Sequence, residues 1–120
     1  MRDNAFIVGV GVDIVEIQDM QKARFKKRVA EYFLTKEEQK QLPYGSRLPQ
    51  HLASRFALKE AVIKAFHEKL SPFDLVVSKK GKRPAIKFVD KERNKKYSIY
   101  ASLSHTTHIA AAFAVVHTKK

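Results

Sequence analysis

Residues 54–66 read SRFALKEAVIKAF, a segment with helical periodicity that carries charged residues in its middle. Residues four apart on an α-helix lie about 40° from each other around the axis, so Glu60, Lys64 and His67 fall on one narrow face. Apolar residues flank that face on both sides. We therefore predict a mostly buried helix over residues 49–67 with one polar face. A row of small residues is expected to let another element pack closely: Ala53, Ala57, Ala61 and Ala65.

Glu60 needs an explanation, because a buried carboxylate is costly without a partner. One interpretation is structural: Glu60 and Lys64 form an i,i+4 ion pair that adds a small stabilisation. The other interpretation is functional, with both side chains facing a ligand. The helix pattern alone leaves both open.

A strand is predicted over residues 5–14, AFIVGVGVDI, because residue types alternate there with a period of two. Gly9, Gly11 and Asp13 share one face, where the bare glycines let another group approach the backbone. With Glu16, Asp13 fits a helix N-cap and its reciprocal acidic residue. Alternatively, Asp13 is a ligand of Mg²⁺, which one or two carboxylates hold together with phosphates and water. If Asp13 meets Glu60, the pair forms half of such a site, and a nearby lysine would bind phosphate.

The remaining segments predict an α+β fold in one domain, residues 1–120, with the order β-α-α-α-β-β-β-β. Helical periodicity begins near residue 15, and Thr35 with Glu38 has the spacing of a capping box for a short helix. That short helix is expected over residues 36–42. Four strands are predicted in the last fifty residues, over 73–78, 85–89, 97–104 and 109–116.

The composition points to a basic protein that meets anionic partners. The 120 residues carry a formal net charge of +12, which favours capture of nucleic acid, an acidic protein, an anionic membrane surface or a phosphorylated small molecule. The absence of cysteine excludes disulfides and thiolate zinc sites. No apolar run suits a membrane span, and the first residues lack the pattern of a signal peptide, so we expect a cytoplasmic protein.

Three segments, taken in order, resemble the holo-acyl-carrier-protein synthases, a family of small trimeric phosphopantetheinyl transferases. They are GVGVDIVEI at 9–17, RFALKEAVIKAF at 55–66 and SLSHTTHIAAAFAVV at 102–116. Each motif alone is weak, but the ordered set is specific and covers most of the chain. The resemblance implies an α+β phosphopantetheinyl transferase fold with an antiparallel sheet packed against helices. The implied reaction transfers 4′-phosphopantetheine from coenzyme A to a serine of apo-acyl carrier protein and releases adenosine 3′,5′-bisphosphate, in fatty acid biosynthesis.

The resemblance also implies roles for individual residues. Asp13 and Glu60 would hold Mg²⁺, and Glu60 would act as the base through a metal-bound water. The implied catalytic residues are Glu60, Lys64 and His105. The implied CoA-binding residues are Lys64, Ser104, His105 and Lys82. The chain departs from the family pattern after the long helix, where a glycine-rich turn is missing, and at residues 81–84, where one residue is added.

The implied partners are coenzyme A, an acidic acyl carrier protein and two further copies of the chain in a homotrimer. The carrier protein is expected to dock on the first helix through Arg24, Phe25, Lys27 and Arg28. Neither a membrane nor a nucleic acid is expected as a partner.

Two alternatives accompany this interpretation. The first is a small basic nucleic-acid-binding module without enzymatic activity, which a high pI and a Lys/Arg-rich helix would suit. Its weakness is the pair Asp13 and Glu60, whose carboxylates would repel a phosphate backbone. The second is a non-catalytic relative that only binds CoA or acyl carrier protein.

Overall fold

A computed structural model describes residues 6–81 and 83–119 of the protein. The strands are β1 Ile7–Glu16, β2 Leu75–Lys80, β3 Arg83–Phe88, β4 Tyr97–His105 and β5 Ile109–Thr118. The helices are α1 Ala23–Phe33, α2 Lys36–Lys40, α3 Leu48–Ala65 and α4 Lys91–Lys96. Short 3-10 segments lie at Ile17–Gln21, Gly45–Arg47 and Pro72–Asp74. The predicted α+β class is confirmed.

The main sheet is antiparallel and has the strand order β1-β5-β4, while β2 and β3 form a separate hairpin. Helix α3 packs across the inner face of the main sheet. The alanine row of α3 is fully buried there, opposite a second row of small residues on β5. The β5 residues in this row are Ala110, Ala112 and Ala114.

Two glycines of β1 let α3 approach unusually closely. A Cβ at Gly9 would stand 2.0 Å from the carbonyl oxygen of Ala65, and a Cβ at Gly11 would stand 2.0 Å from that of Ala61. Any side chain at either position would push the helix off the strand. The predicted close approach is confirmed, and it sets the spacing between Asp13 on β1 and the polar residues of α3.

Lys59, one of the charged residues in the middle of α3, stabilises the fold. Its side chain has 0% exposure, and its ammonium donates to Glu38 Oε1 at 2.8 Å. The same ammonium donates to the carbonyl oxygens of Phe33 at 2.6 Å and Pro72 at 3.0 Å. Burial lowers the pKa of Lys59, while the hydrogen bond to Glu38 favours the charged form.

Glu38 completes this buried cluster. Its Oε1 accepts from Thr35 N at 2.7 Å while Thr35 Oγ1 accepts from Glu38 N at 3.1 Å, so the predicted capping box is confirmed. Its Oε2 accepts from Val77 N at 2.7 Å. One ion pair therefore joins α2, α3 and the start of the β2–β3 hairpin.

Several local predictions are wrong. Asp13 is not a helix N-cap, because β1 continues to Glu16 and the first α-helix begins only at Ala23. His67 does not share the polar face, because α3 ends at Ala65 and the next residue has extended backbone. The prediction also missed α4, whose N-cap Asp90 accepts a hydrogen bond from Glu92 N at 2.9 Å.

Within the described residues, the outer face of the main sheet is apolar and exposed where β1 and β5 form it. Val10, Val12 and Ile14 of β1 are 55–66% exposed, and Phe113 of β5 is 47% exposed beside them. We call these four residues the outer apolar face. On β4 the same face carries serine and tyrosine residues, as the strand register requires.

No described helix is long and apolar enough to cross a membrane.

Candidate active site

The polar face of α3 meets Asp13 at the edge of β1. Lys64 Nζ lies 2.8 Å from Asp13 Oδ1 and 3.1 Å from the carbonyl oxygen of Val12, and donates to both. The hydrogen bond to Asp13 raises the pKa of Lys64 above its ordinary value. The ion pair of Lys64 is thus with Asp13, and among described contacts none joins it to Glu60 as the structural interpretation required.

Glu60 lies half-buried next to this pair. Burial raises the pKa of its carboxyl, the charge of Asp13 raises it further, and Lys64 opposes both effects. Two carboxylates from residues 47 positions apart in the sequence therefore share one electrostatic environment. Such a pair disfavours its own ionisation unless a cation joins it.

The donor set fits a divalent cation. Asp13 Oδ2 is buried and has no hydrogen-bond partner among the described residues, so one carboxylate oxygen of the pair is left for a ligand. Hard cations such as Mg²⁺ prefer carboxylate oxygens and commonly use only one or two of them, with water and phosphate as the other ligands. Within the described part of the chain, no third His, Cys, Asp or Glu side chain forms a metal-binding group with these two.

His105 lies at the other end of α3. Its Nε2 is 2.9 Å from Gln50 Nε2, and its Nδ1 is 3.3 Å from the carbonyl oxygen of Thr106, which suits a ring protonated on Nδ1. Gln50 precedes Glu60 by ten residues, or about 15 Å along the helix axis. Within one chain, His105 is therefore separate from the Asp13 cluster.

The other predicted CoA-binding residues are also apart from that cluster. Ser104 is exposed on β4, and the alternation of the strand directs it to the face opposite His105. Lys82 lies outside the described residues.

A basic cavity beside His105 escaped the sequence analysis. It has a volume of about 240 Å³ and brings three cations from three elements together: Arg47, Arg55 and Lys79. Arg55 is buried, and burial lowers its pKa. The one sequence feature that could have indicated this cavity is Arg55, a charged residue in a largely apolar helix. The prediction was not possible from that residue alone, because Lys79 comes from a distant segment of the sequence.

A second, apolar cavity of about 460 Å³ lies between β1, α1 and α3. Its walls include Ile14, next to Asp13 on β1, and Phe56, one turn before Glu60 on α3. Helix α1 closes it with Phe25 and Arg28. Arg24 and Lys27 are exposed on the same helix, while Glu16 and Asp19 also line the cavity, so charges of both signs surround it.

Comparison with protein families places this arrangement in a known class. The model of the 4′-phosphopantetheinyl transferase superfamily matches residues 9–114. The chain therefore belongs to the 4′-phosphopantetheinyl transferase superfamily. The matched range includes the carboxylate pair, Lys64 and His105.

Within the superfamily, the chain is similar to holo-[acyl-carrier-protein] synthases. That of Clostridium kluyveri is 33% identical over 124 residues, which cover 95% of this chain and 92% of the relative. The crystal structure of a holo-(acyl-carrier-protein) synthase from Bacillus anthracis in complex with CoA (3′,5′-ADP) has a TM-score of 0.80 at 30% identity, covering 94% of this chain and 98% of that one. The Helicobacter pylori enzyme in complex with coenzyme A has a TM-score of 0.71 at 33% identity, covering 89% and 98%. The resemblance deduced from three motifs is confirmed, and the nucleic-acid-binding alternative finds no support.

Proposed function

We propose that the protein is a holo-[acyl-carrier-protein] synthase, which transfers 4′-phosphopantetheine from coenzyme A to a serine of apo-acyl carrier protein. Its relatives of similar length carry that name. The observation that carries the proposal is the convergence of Asp13, Glu60 and Lys64 at the contact between β1 and α3. This cluster combines two carboxylates, one of which has a free oxygen, with the ammonium of Lys64. A cation held by the carboxylates, together with the ammonium, would stabilise the negative charge that develops on a pyrophosphate under attack.

Asp13 and Glu60 would hold Mg²⁺, which supplies charge neutralisation on phosphate oxygens when bound. Lys64 binds a phosphate oxygen of the donor and stabilises the leaving adenosine 3′,5′-bisphosphate. Glu60 is also the proposed base, acting through a water on the proton of the attacking serine hydroxyl. The nucleophile belongs to the carrier protein, so this chain needs none.

Coenzyme A carries a pyrophosphate and a separate 3′-phosphate, and the chain offers two separate basic places for them. The pyrophosphate goes to Lys64, and the 3′-phosphate goes to the basic cavity with Arg47, Arg55 and Lys79. His105 adjoins that cavity and contacts the nucleotide, with Ser104 and Lys82 as further proposed CoA contacts. One CoA molecule would therefore occupy both Lys64 and the basic cavity.

A homotrimer would bring the two places together. His105 is distant from the Asp13 cluster within one chain, so one subunit supplies the carboxylates and its neighbour supplies the basic cavity. The outer apolar face supports this part of the proposal, because exposed apolar patches of this kind mark protein interfaces. A head-to-tail contact that closes after three copies gives three equivalent shared sites.

Acyl carrier protein is proposed to dock on α1. The exposed side chains of Arg24, Lys27 and Arg28 suit an acidic partner, and Phe25 lies among them at the apolar cavity. In this proposal the docked carrier protein presents its serine to the reacting phosphate at Asp13 and Glu60. A cytoplasmic location and a role in fatty acid biosynthesis belong to the same proposal and rest on the resemblance.

The test is the mass of apo-acyl carrier protein after incubation with the purified protein, CoA and Mg²⁺. We expect a gain of one phosphopantetheine group, no gain with a chelator, and a loss of activity of at least about a hundredfold in Asp13→Asn. The matched control is Glu92→Gln, which changes an exposed carboxylate on α4. CoA binding without any mass gain would favour a non-catalytic relative, and salt-sensitive duplex binding without transfer would favour the nucleic-acid module.

A further inference from the structure

Two buried polar atoms beside the basic cavity have no hydrogen-bond partner among residues 6–81 and 83–119. Ser54, which is 6% exposed, lines the cavity, and its Oγ makes no hydrogen bond. His51 Nε2 is likewise buried without a partner, and its ring lines the same cavity. Buried polar groups are almost always hydrogen-bonded, so two such atoms at one cavity are available to a ligand or to water.

The charges around the cavity define the chemistry of that ligand. The groups that face His51 are cationic: Arg47 before α3, Arg55 on α3 and Lys79 on β2. Burial and the charges of Arg55, Lys79 and Arg47, in that order, lower the pKa of His51 to about 4, so its ring is neutral at physiological pH. In the tautomer protonated on Nε2, the neutral ring offers an N–H donor among the three cations, and Ser54 offers an O–H donor. A phosphomonoester, with two negative charges and three terminal oxygens, matches this set better than a singly charged diester.

We propose that Ser54 and His51 are specificity-determining residues that select CoA carrying its 3′-phosphate over CoA lacking it. Ser54 Oγ and His51 Nε2 donate hydrogen bonds to terminal oxygens of the phosphomonoester, while the three cations supply its charge. Selectivity follows because the form without the phosphate leaves both buried donors without a partner. This inference rests on the proposed function for the identity of the substrate.

The test compares kcat/KM for CoA and for 3′-dephospho-CoA with the same apo-acyl carrier protein. In Ser54→Ala and in His51→Phe we expect the preference for CoA to fall about tenfold in each, as befits one lost hydrogen bond to a charged group. The values for 3′-dephospho-CoA should stay unchanged. Matched controls are Ser78→Ala on the exposed side of β2 and His67→Phe beyond the end of α3, which should keep the wild-type preference.

Two outcomes would overturn the inference. One is an unchanged preference in both variants, and the other is an equal loss with both substrates, which indicates a structural role. Thermal unfolding gives a further readout: because the hydroxyl of Ser54 makes no bond in the fold, Ser54→Ala should be at least as stable as the wild type.

Failure of the proposed function is distinguished by a binding measurement that needs no transfer. Calorimetry with adenosine 3′,5′-bisphosphate and with 5′-AMP reports the 3′-phosphate directly. If the wild type transfers nothing but prefers the bisphosphate, and Ser54→Ala loses that preference about tenfold, the inference stands without the proposed reaction. Equal affinity of the wild type for both nucleotides would refute it.

Discussion

At the scale of single residues, the charged positions of α3 divide between fold and function. Lys59 is buried in an ion pair with Glu38, whereas Glu60 and Lys64 lie with Asp13 at the edge of β1. Adjacent residues on a helix point about 100° apart, so one helix can serve the core with Lys59 and a site with Glu60.

The raised pKa of Glu60 predicts the pH dependence of activity. Only the ionised carboxylate binds a cation and accepts a proton, so kcat/KM should fall on acidification at a higher pH than for an ordinary glutamate. More Mg²⁺ should move this acidic limb to lower pH, because the cation competes with the proton. An acidic limb that does not move between low and high Mg²⁺ would contradict the assignment of Glu60.

The raised pKa of Glu60 also affects stability, with a pH dependence opposite to that of activity. A carboxyl whose pKa is higher in the folded protein than in the unfolded chain stabilises the fold at low pH, and this contribution is lost as the pH rises through the folded pKa. Glu60→Gln should therefore lose activity while keeping or slightly gaining stability at neutral pH.

At the scale of elements, the contact between β1 and α3 builds the site. Because a Cβ at Gly11 would stand 2.0 Å from the carbonyl oxygen of Ala61, Gly11→Ala should force α3 away from the strand. We expect a loss of about 3 kcal/mol or more in the free energy of unfolding, measured with urea. Gly81→Ala is the comparison: it has open space but a φ of 67°, so about 1–2 kcal/mol is expected. Equal effects of the two changes would show that the close approach is unimportant.

The Lys59–Glu38 pair gives a second prediction about the elements. Lys59→Met leaves the Glu38 carboxylate buried without its cation and should cost about 3–5 kcal/mol in the free energy of unfolding. Adding Glu38→Gln should recover part of that loss, because the neutral amide removes the unpaired buried charge. The recovery should be incomplete, since Thr35 N and Val77 N donate to two different oxygens of Glu38 and the amide offers only one acceptor oxygen. A double variant as unstable as the sum of the single changes would contradict this pairing.

The sequence predicted the elements whose pattern is local. The alternation around Gly9 and Gly11, the capping box at Thr35 and the alanine row of α3 were all visible as short-range spacing. The Lys59–Glu38 pair and the basic cavity were not, because each joins residues that only the folded chain brings together. For Asp13 and Glu60 the spacing left a shared Mg²⁺ site open beside an N-cap and an i,i+4 pair, and the family motifs favoured the Mg²⁺ site.

At the scale of the whole molecule, the separation of His105 from the Asp13 cluster and the outer apolar face together favour a shared site. In such an assembly each chain contributes its carboxylates to one site and its basic cavity to another. The proposed trimer would account for the exposed apolar face of the sheet and for the separation of the basic cavity from the carboxylates.

Mixing two inactive variants tests the shared site. Glu60→Gln damages one half and His105→Ala damages the other, so an active site forms where an intact half of each meets. Random co-assembly at equal amounts should restore about a quarter of the wild-type activity in a closed ring. Co-expression with different tags provides the mixed assemblies, and light scattering provides their mass. No recovery in verified mixed assemblies would indicate sites confined to one chain.

The most direct test of the central claim is the binding of Mn²⁺, as a substitute for Mg²⁺, measured by electron paramagnetic resonance in the presence of CoA. The wild type and Glu92→Gln should each bind one ion per chain, whereas Asp13→Asn and Glu60→Gln should lose that binding while remaining folded by circular dichroism. Undiminished binding in both folded variants would contradict the claim that these two carboxylates hold the metal.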